Sequence, residues 1–111
     1  MGILGRLSGK GRREDLSERF GERKATLLEL QAAIFGYVDA EALFAAGRLS
    51  REDMLRRGKR LYRDMANLVE AVGDDYISRE WATFERDYGS SAQDAYLHLR
   101  NIADRVMELA L

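Results

Sequence analysis

Residues 45–53 read AAGRLSRED, and this short stretch decides the fold that the sequence predicts. Gly47 suits the left-handed position that follows the last turn of a helix. Ser50 is a preferred N-cap, and Asp53 follows three residues later, where a capping box usually has Glu or Gln. One helix should therefore end and the next begin within a few residues, as in an αα-hairpin.

The helix after this joint is predicted over residues 51–72. Its apolar residues recur at alternating steps of four and three, which is typical of one face of a helix. Three further apolar side chains, Leu55, Tyr62 and Val69, widen that face. The main stripe consists of Met54, Gly58, Leu61, Met65, Leu68 and Val72.

The helix before the joint is predicted to begin near Glu14, where acidic residues suit the positive end of a helix dipole. Asp15 or Ser17 is the expected cap. Gly36 should either bend this helix or admit a close neighbour. Its apolar arc is wide enough to predict contacts on more than one side. The arc comprises three rows: Leu27, Gln31, Ile34 and Val38; Leu28, Phe35 and Ala42; and Leu30, Tyr37 and Phe44.

Two more helices are predicted in the C-terminal part of the chain. Gly73 should end the second helix, and Asp74 or Asp75 can cap a third, which should end at Gly89. The apolar row of this third helix is Ile77, Trp81, Phe84 and Tyr88. Ser91 should cap the fourth. The fourth helix has the most regular stripe: Ala92, Ala95, Leu99, Ile102, Val106 and Leu109. The sequence therefore predicts an all-α, up-down four-helix bundle, irregular because the third helix is short.

The N-terminal residues differ from the rest in composition. The chain has 111 residues and a net charge of −1, yet residues 1–13 contain four basic residues and no acid: Arg6, Lys10, Arg12 and Arg13. Glycines at positions 2, 5, 9 and 11 disfavour a helix. A flexible basic arm over 1–13 and a single bundle domain over 14–111 are predicted. Ordering of the arm on a partner, or membrane contact through Ile3, Leu4 and Leu7, stays open.

Few residues suggest chemistry. The chain has no cysteine and one histidine, His98, with no nucleophile motif or phosphate-binding glycine loop around it. Asp94 and His98 are four residues apart and could supply two metal ligands, but the sequence favours a structural histidine. Asp74 and Asp75 are interpreted as helix caps. We therefore predict a protein that is not an enzyme and has no cofactor or metal site.

The second helix is strongly basic at its start. Residues 48–63 contain seven basic and two acidic residues. Arg56, Arg60 and Arg63 lie on one line, with Arg57 and Lys59 beside them. A solvated face is one interpretation, with ion pairs Glu52–Arg56, Asp53–Arg57 and Arg60–Asp64. Binding of phosphates or of an acidic protein is the other, since arginine forks suit both groups.

The function predicted is that of a helical-bundle interaction protein, meaning an adaptor, assembly subunit or modulator of a larger complex. Border aromatics suggest an interface or a homodimer: Tyr37, Phe44, Tyr62, Tyr76 and Tyr96. The alternative is nucleic-acid backbone binding through the arm and the second helix, with Arg6, Lys10, Arg12, Arg13, Arg56, Arg57, Lys59, Arg60 and Arg63 as candidate contacts. No apolar run is long enough to span a membrane, so a cytoplasmic location is expected.

Overall fold

The computed structural model describes residues 18, 21–88 and 92–111, without the side chains of residues 92 and 93. This part of the chain forms four helices: α1 (Glu22–Ala45), α2 (Arg51–Val72), α3 (Asp75–Asp87) and α4 (Ala92–Ala110). Helices α1 and α3 each pack against both α2 and α4. The predicted all-α bundle is therefore confirmed. The predicted arm over residues 1–13 lies outside the described residues.

The joint between α1 and α2 has the structure that its sequence predicts. Gly47 has a φ of 72°. The N–H of Arg48 donates to the carbonyl of Leu43 at 2.8 Å, and the N–H of Gly47 donates to that of Phe44 at 3.0 Å. This pair of bonds is the Schellman motif. The Ser50 hydroxyl then accepts from the N–H of Asp53 at 3.1 Å, so it caps α2.

The predicted start of the first helix is wrong. Helix α1 begins at Glu22, and Gly21 before it has a φ of 86°. Only glycine adopts this conformation readily, and it interrupts any helix that would continue from the preceding residues. Neither Asp15 nor Ser17 can therefore cap α1. The acidic residues around position 15 suit the start of any helix and do not reveal the break.

The core lies between the four helices. Gly36 leaves α1 continuous and admits a close neighbour, because a Cβ there would lie 3.4 Å from Cδ2 of Leu61. Large side chains with less than 2% of their surface exposed come from every helix: Leu27, Leu30, Tyr37, Met65, Ile77, Phe84, Leu99, Ile102 and Val106. No helix in the described ranges is both long and apolar enough to cross a bilayer.

Leu55 and Tyr88 are among the predicted core residues that lie outside the core. Leu55 is 63% exposed, and Tyr88, which directly follows α3, is 48% exposed. The cause is the length of α3. With 13 residues it spans about 20 Å, whereas the 22 residues of α2 span about 33 Å. The two helices meet at the Gly73–Asp74 turn, so the first turns of α2 extend beyond the end of α3.

Candidate binding cleft and basic face

An open cleft lies where α3 ends short of α2. It has a volume of about 650 Å³. The end of α1, the first three turns of α2 and Tyr88 form its walls. The lining residues are largely apolar, with three charged residues among them: Glu41, Phe44, Arg51, Met54, Leu55, Gly58, Lys59, Tyr62 and Tyr88. We refer to this site as the end cleft.

The middle of the end cleft is apolar and accessible. Leu55 is 63% exposed and Phe44 40% exposed. Arg51 and Lys59 lie one helical turn before and after Leu55, so the exposed leucine has a cation on either side along α2. In the described part of the chain, neither of these cations belongs to an ion pair.

A cluster of aromatic rings supports the floor of the cleft. The ring centroids of Tyr62 and Trp81 are 5.2 Å apart, and those of Trp81 and Phe84 are 5.0 Å apart. The hydroxyl of Tyr62 donates to Glu85 Oε2 at 2.8 Å. Burial and this hydrogen bond raise the pKa of Tyr62 to about 12. The floor is therefore held by ring packing as well as by a hydrogen bond between α2 and α3.

A smaller cavity of about 220 Å³ adjoins the end cleft and shares Glu41 and Tyr88 with it. The hydroxyl of Tyr37 donates to the Tyr88 hydroxyl at 2.7 Å between the two spaces. Burial makes the largest contribution to the pKa of Tyr96, which is raised to about 12, and the charge of Glu41 makes the next largest. Burial and the Tyr88 contact raise the pKa of Tyr37, with a smaller contribution from Glu41. Glu41 thus contributes to the raised pKa values of both Tyr37 and Tyr96.

The basic face of α2 comprises Arg56, Arg57, Lys59, Arg60 and Arg63, and all five are exposed. Arg56 pairs with Asp53. The predicted pairs Glu52–Arg56, Asp53–Arg57 and Arg60–Asp64 are not formed. Asp53 pairs with Arg56, three residues on, instead of with Arg57. Among the described residues, the other four cations of the face take part in no ion pair. The arm cations Arg6, Lys10, Arg12 and Arg13 lie outside the described residues.

His98 joins α4 to α3. Its Nδ1 lies 3.2 Å from Glu80 Oε1, and its Nε2 lies 3.3 Å from Asp87 Oδ2. Asn101 Nδ2 also donates to Glu80 Oε1, at 2.6 Å. The ring nitrogens thus contact α3. Neither contact involves Asp94, which the sequence offered only as an alternative metal ligand beside the favoured structural histidine. Within the described residues, no group of three or more His, Asp or Glu side chains is arranged to hold a metal ion.

Helix α1 carries a second exposed apolar surface, formed by Phe35 and Val38. Phe35 is 58% exposed and Val38 40% exposed. The wide apolar arc predicted for this helix is therefore real, but α2 and α4 cover only part of it. This surface is convex along one helix, whereas the end cleft is concave and is lined by residues of three segments.

Of the five border aromatics that the sequence indicated as interface candidates, Phe44 and Tyr62 line the end cleft. Tyr37 is instead a core residue, with 1% of its surface exposed. The sequence missed Leu55, Tyr88 and Glu41, because the helical pattern alone assigns Leu55 and Tyr88 to the core. The mismatch between a third helix of 13 residues and a second of 22 was the available signal. The chain matches no protein-family model, and neither a curated protein nor a solved structure was found to be similar to it.

Proposed function

We propose that this protein is a non-enzymatic interaction protein of the cytoplasm, an adaptor, assembly subunit or modulator that binds a protein partner in the end cleft. One observation supports this most strongly: Leu55, Phe44 and Tyr88 are exposed together in a concave site. Exposed apolar clusters of this kind mark binding surfaces. Aromatic anchors in the centre of an interface also contribute much of the binding energy.

The end cleft is better suited to a partner than the apolar surface on α1. Its aromatic floor is already packed, so binding needs little ordering of the site. Full burial of an apolar side chain of this size contributes about 1.5–3 kcal/mol. Three such side chains offset only part of the cost of association, so the partner must bring apolar anchors of its own.

Photo-crosslinking in source cells tests this proposal. A photoreactive amino acid is placed at position 55 in one variant and, as a matched control, at exposed Ala71 near the other end of α2. We expect position 55, and not position 71, to crosslink to one protein, with and without nuclease. Crosslinks that are equal at both positions, or absent at 55, would contradict the proposal. A crosslink to a second copy of the chain would indicate a homodimer.

The basic face supports a second candidate function, binding of a nucleic-acid backbone together with the arm cations Arg6, Lys10, Arg12 and Arg13. The supporting observation is that Arg57, Lys59, Arg60 and Arg63 are exposed without ion pairs in the described ranges. Such contacts give a sequence-independent affinity that falls steeply with salt.

A charge-reversal pair tests the second function. The double change Arg60→Glu and Arg63→Glu should weaken binding of a labelled oligonucleotide and lower the slope of affinity against salt by about two. The matched control is Arg79→Glu with Arg100→Glu, which alters the same charge at exposed sites on α3 and α4. Equal effects of the two pairs would mean that net charge acts, rather than the basic face.

A further inference from the structure

We infer that the occupant of the end cleft is a short α-helix of another protein, carrying a bulky apolar residue with an acidic residue one turn to either side. This inference rests on the proposed function, and it adds the chemical class of the partner. Helix-in-groove recognition is a recurrent mode of peptide binding.

The length of the occupant follows from the difference between α2 and α3. Helix α3 is nine residues shorter, with 13 residues against 22. About 13 Å of α2 therefore has no α3 beside it, which corresponds to two and a half helical turns. A helical segment of about ten residues would lie beside the start of α2, where a longer α3 would continue. A helix also pairs its own backbone groups, so it can enter an apolar cleft without leaving them unsatisfied.

The charges around the cleft select the flanks of that helix. Arg51 and Lys59 are eight residues apart on α2 and therefore about 12 Å apart, with exposed Leu55 midway between them. Two carboxylates at positions i and i+8 of the partner helix match this separation, and an apolar residue at i+4 then faces Leu55. Glu41 is the one acid in the lining, against the two cations Arg51 and Lys59, so the charge of the lining is positive on balance.

Other occupants fit these charges less well. Residues 1–13 of this chain have four basic residues and no acid, so they are repelled by Arg51 and Lys59. A second copy that presents its own α2 brings the same cations. A nucleic acid matches the cations but has no bulky aliphatic group for Leu55. An acidic amphipathic helix satisfies both the apolar centre and the charged borders.

Three labelled peptides test the inference with the full-length protein. The first is an Ala- and Gln-based helix with a central Leu and a Glu four residues before and after it. The second has Lys in place of both Glu residues. The third is the peptide of residues 1–13. Fluorescence anisotropy measures binding to the wild type, to Leu55→Ala, to Arg51→Glu with Lys59→Glu, and to the control Arg79→Glu with Arg100→Glu.

We expect the Glu peptide to bind most tightly. Leu55→Ala should weaken it about tenfold, as expected for a central anchor. The double reversal of Arg51 and Lys59 should also weaken it about tenfold and make the Lys peptide the better ligand. The control should change affinity by less than about twofold, because its charges lie elsewhere. Tighter binding of the Lys peptide by the double variant would be a gain of binding, which misfolding cannot produce.

Two kinds of result would overturn the inference. Leu55-dependent binding of the Lys peptide or of the 1–13 peptide, at equal or higher affinity than the Glu peptide, would show that the acidic chemistry is wrong. A dimer that is detected by sedimentation and is lost in Leu55→Ala would also overturn the inference, because a second copy of the chain would then be the occupant. Absence of binding by all three peptides also overturns it, and crosslinking at position 55 then decides the proposed function separately. A protein crosslink there would leave the proposed function standing, and its absence would remove both.

Discussion

The two ends of the bundle use similar apolar patterns with different results. At the end where α2 turns into α3, Val72, Ile77 and Val106 are buried, and Ile77 has no exposed surface. At the opposite end, Leu55 and Tyr88 continue the same helical spacing but are exposed. The residue pattern therefore does not decide burial by itself. The length of α3 decides which part of the apolar face of α2 is covered.

The end where α2 turns into α3, the closed end, is also fixed by polar contacts, unlike the opposite, open end beside the end cleft. Asp74 Oδ2 accepts from the N–H of Ile77 at 3.1 Å, so it caps α3. Its Oδ1 lies 3.1 Å from Nη2 of Arg105, which ties the start of α3 to α4. The open end has Tyr–Glu and Tyr–Tyr hydrogen bonds beside a cleft. The closed end is thus fixed by packing and by polar contacts, whereas the open end leaves apolar surface exposed.

The sharpest test of this comparison truncates one apolar residue at each end. Ile77→Ala should lower the free energy of unfolding by about 2–5 kcal/mol, because it leaves a cavity in the packed core. Leu55→Ala should change it by less than about 0.5 kcal/mol, because the side chain is exposed. Urea unfolding followed by far-UV circular dichroism measures both. Similar losses at the two positions would mean that Leu55 is covered in solution.

The second test removes the polar contacts of the closed end. Asp74→Ala should cost about 1–2 kcal/mol through loss of the N-cap. Asp74→Asn keeps a capping oxygen but loses the charge that pairs with Arg105, so it should cost less. Chemical denaturation of both variants near neutral pH gives the comparison.

The same variants predict a pH dependence. The hydrogen bond from Arg105 lowers the pKa of Asp74 below its ordinary value of 3.8. A lowered pKa in the folded state stabilises the protein above the unfolded pKa, and this contribution is lost as pH falls through the folded pKa. The stability gap between the wild type and Asp74→Asn should therefore close in acid below about pH 4. A gap that persists there would rule out the Arg105 pair as its cause.

These differences also show what the sequence could predict. The cap at Ser50, the left-handed Gly47 and the α4 stripe from Ala95 to Val106 follow from local chemistry, and the structure has each of them. The sequence left Asp74 and Asp75 open as the cap of α3, and Asp74 is the one that caps it. The predicted end of α3 at Gly89 and cap of α4 at Ser91 lie outside the described residues. The start of α1 was not predictable in the same way, because the break at Gly21 depends on a backbone angle that acidic neighbours do not reveal. Prediction of the end cleft required a comparison of the lengths of α2 and α3, which the spacing of apolar residues alone does not provide.

Two glycines provide a smaller test of the two ends. Gly73 closes α2 with a φ of 67°, where a Cβ is strained, so Gly73→Ala should cost about 1 kcal/mol. Gly58 lies within α2 on the cleft wall, where a Cβ would be 3.3 Å from the terminal methyl of Met54. That methyl can move, so Gly58→Ala should stabilise the protein by up to about 1 kcal/mol. Thermal unfolding of the two variants measures these opposite signs, and a loss at Gly58 would show that Met54 is fixed.

The smallest effect is expected at the hydrogen bond between Tyr62 and Glu85. Burial and Glu85 raise the pKa of Tyr62 to about 12, so Glu85→Gln should lower that pKa while burial keeps it above 10.0. Glu85 is not a cause of the raised pKa of Tyr96, so that pKa should stay near 12 and serves as an internal control. Ultraviolet titration of the tyrosines measures both.

A raised folded pKa stabilises the protein below the unfolded pKa, and the contribution is lost between about pH 10 and 12. The variant should therefore lose about 0.5 kcal/mol or less near neutral pH. If both tyrosines shifted together, the substitution would have disturbed the whole aromatic floor and not one hydrogen bond.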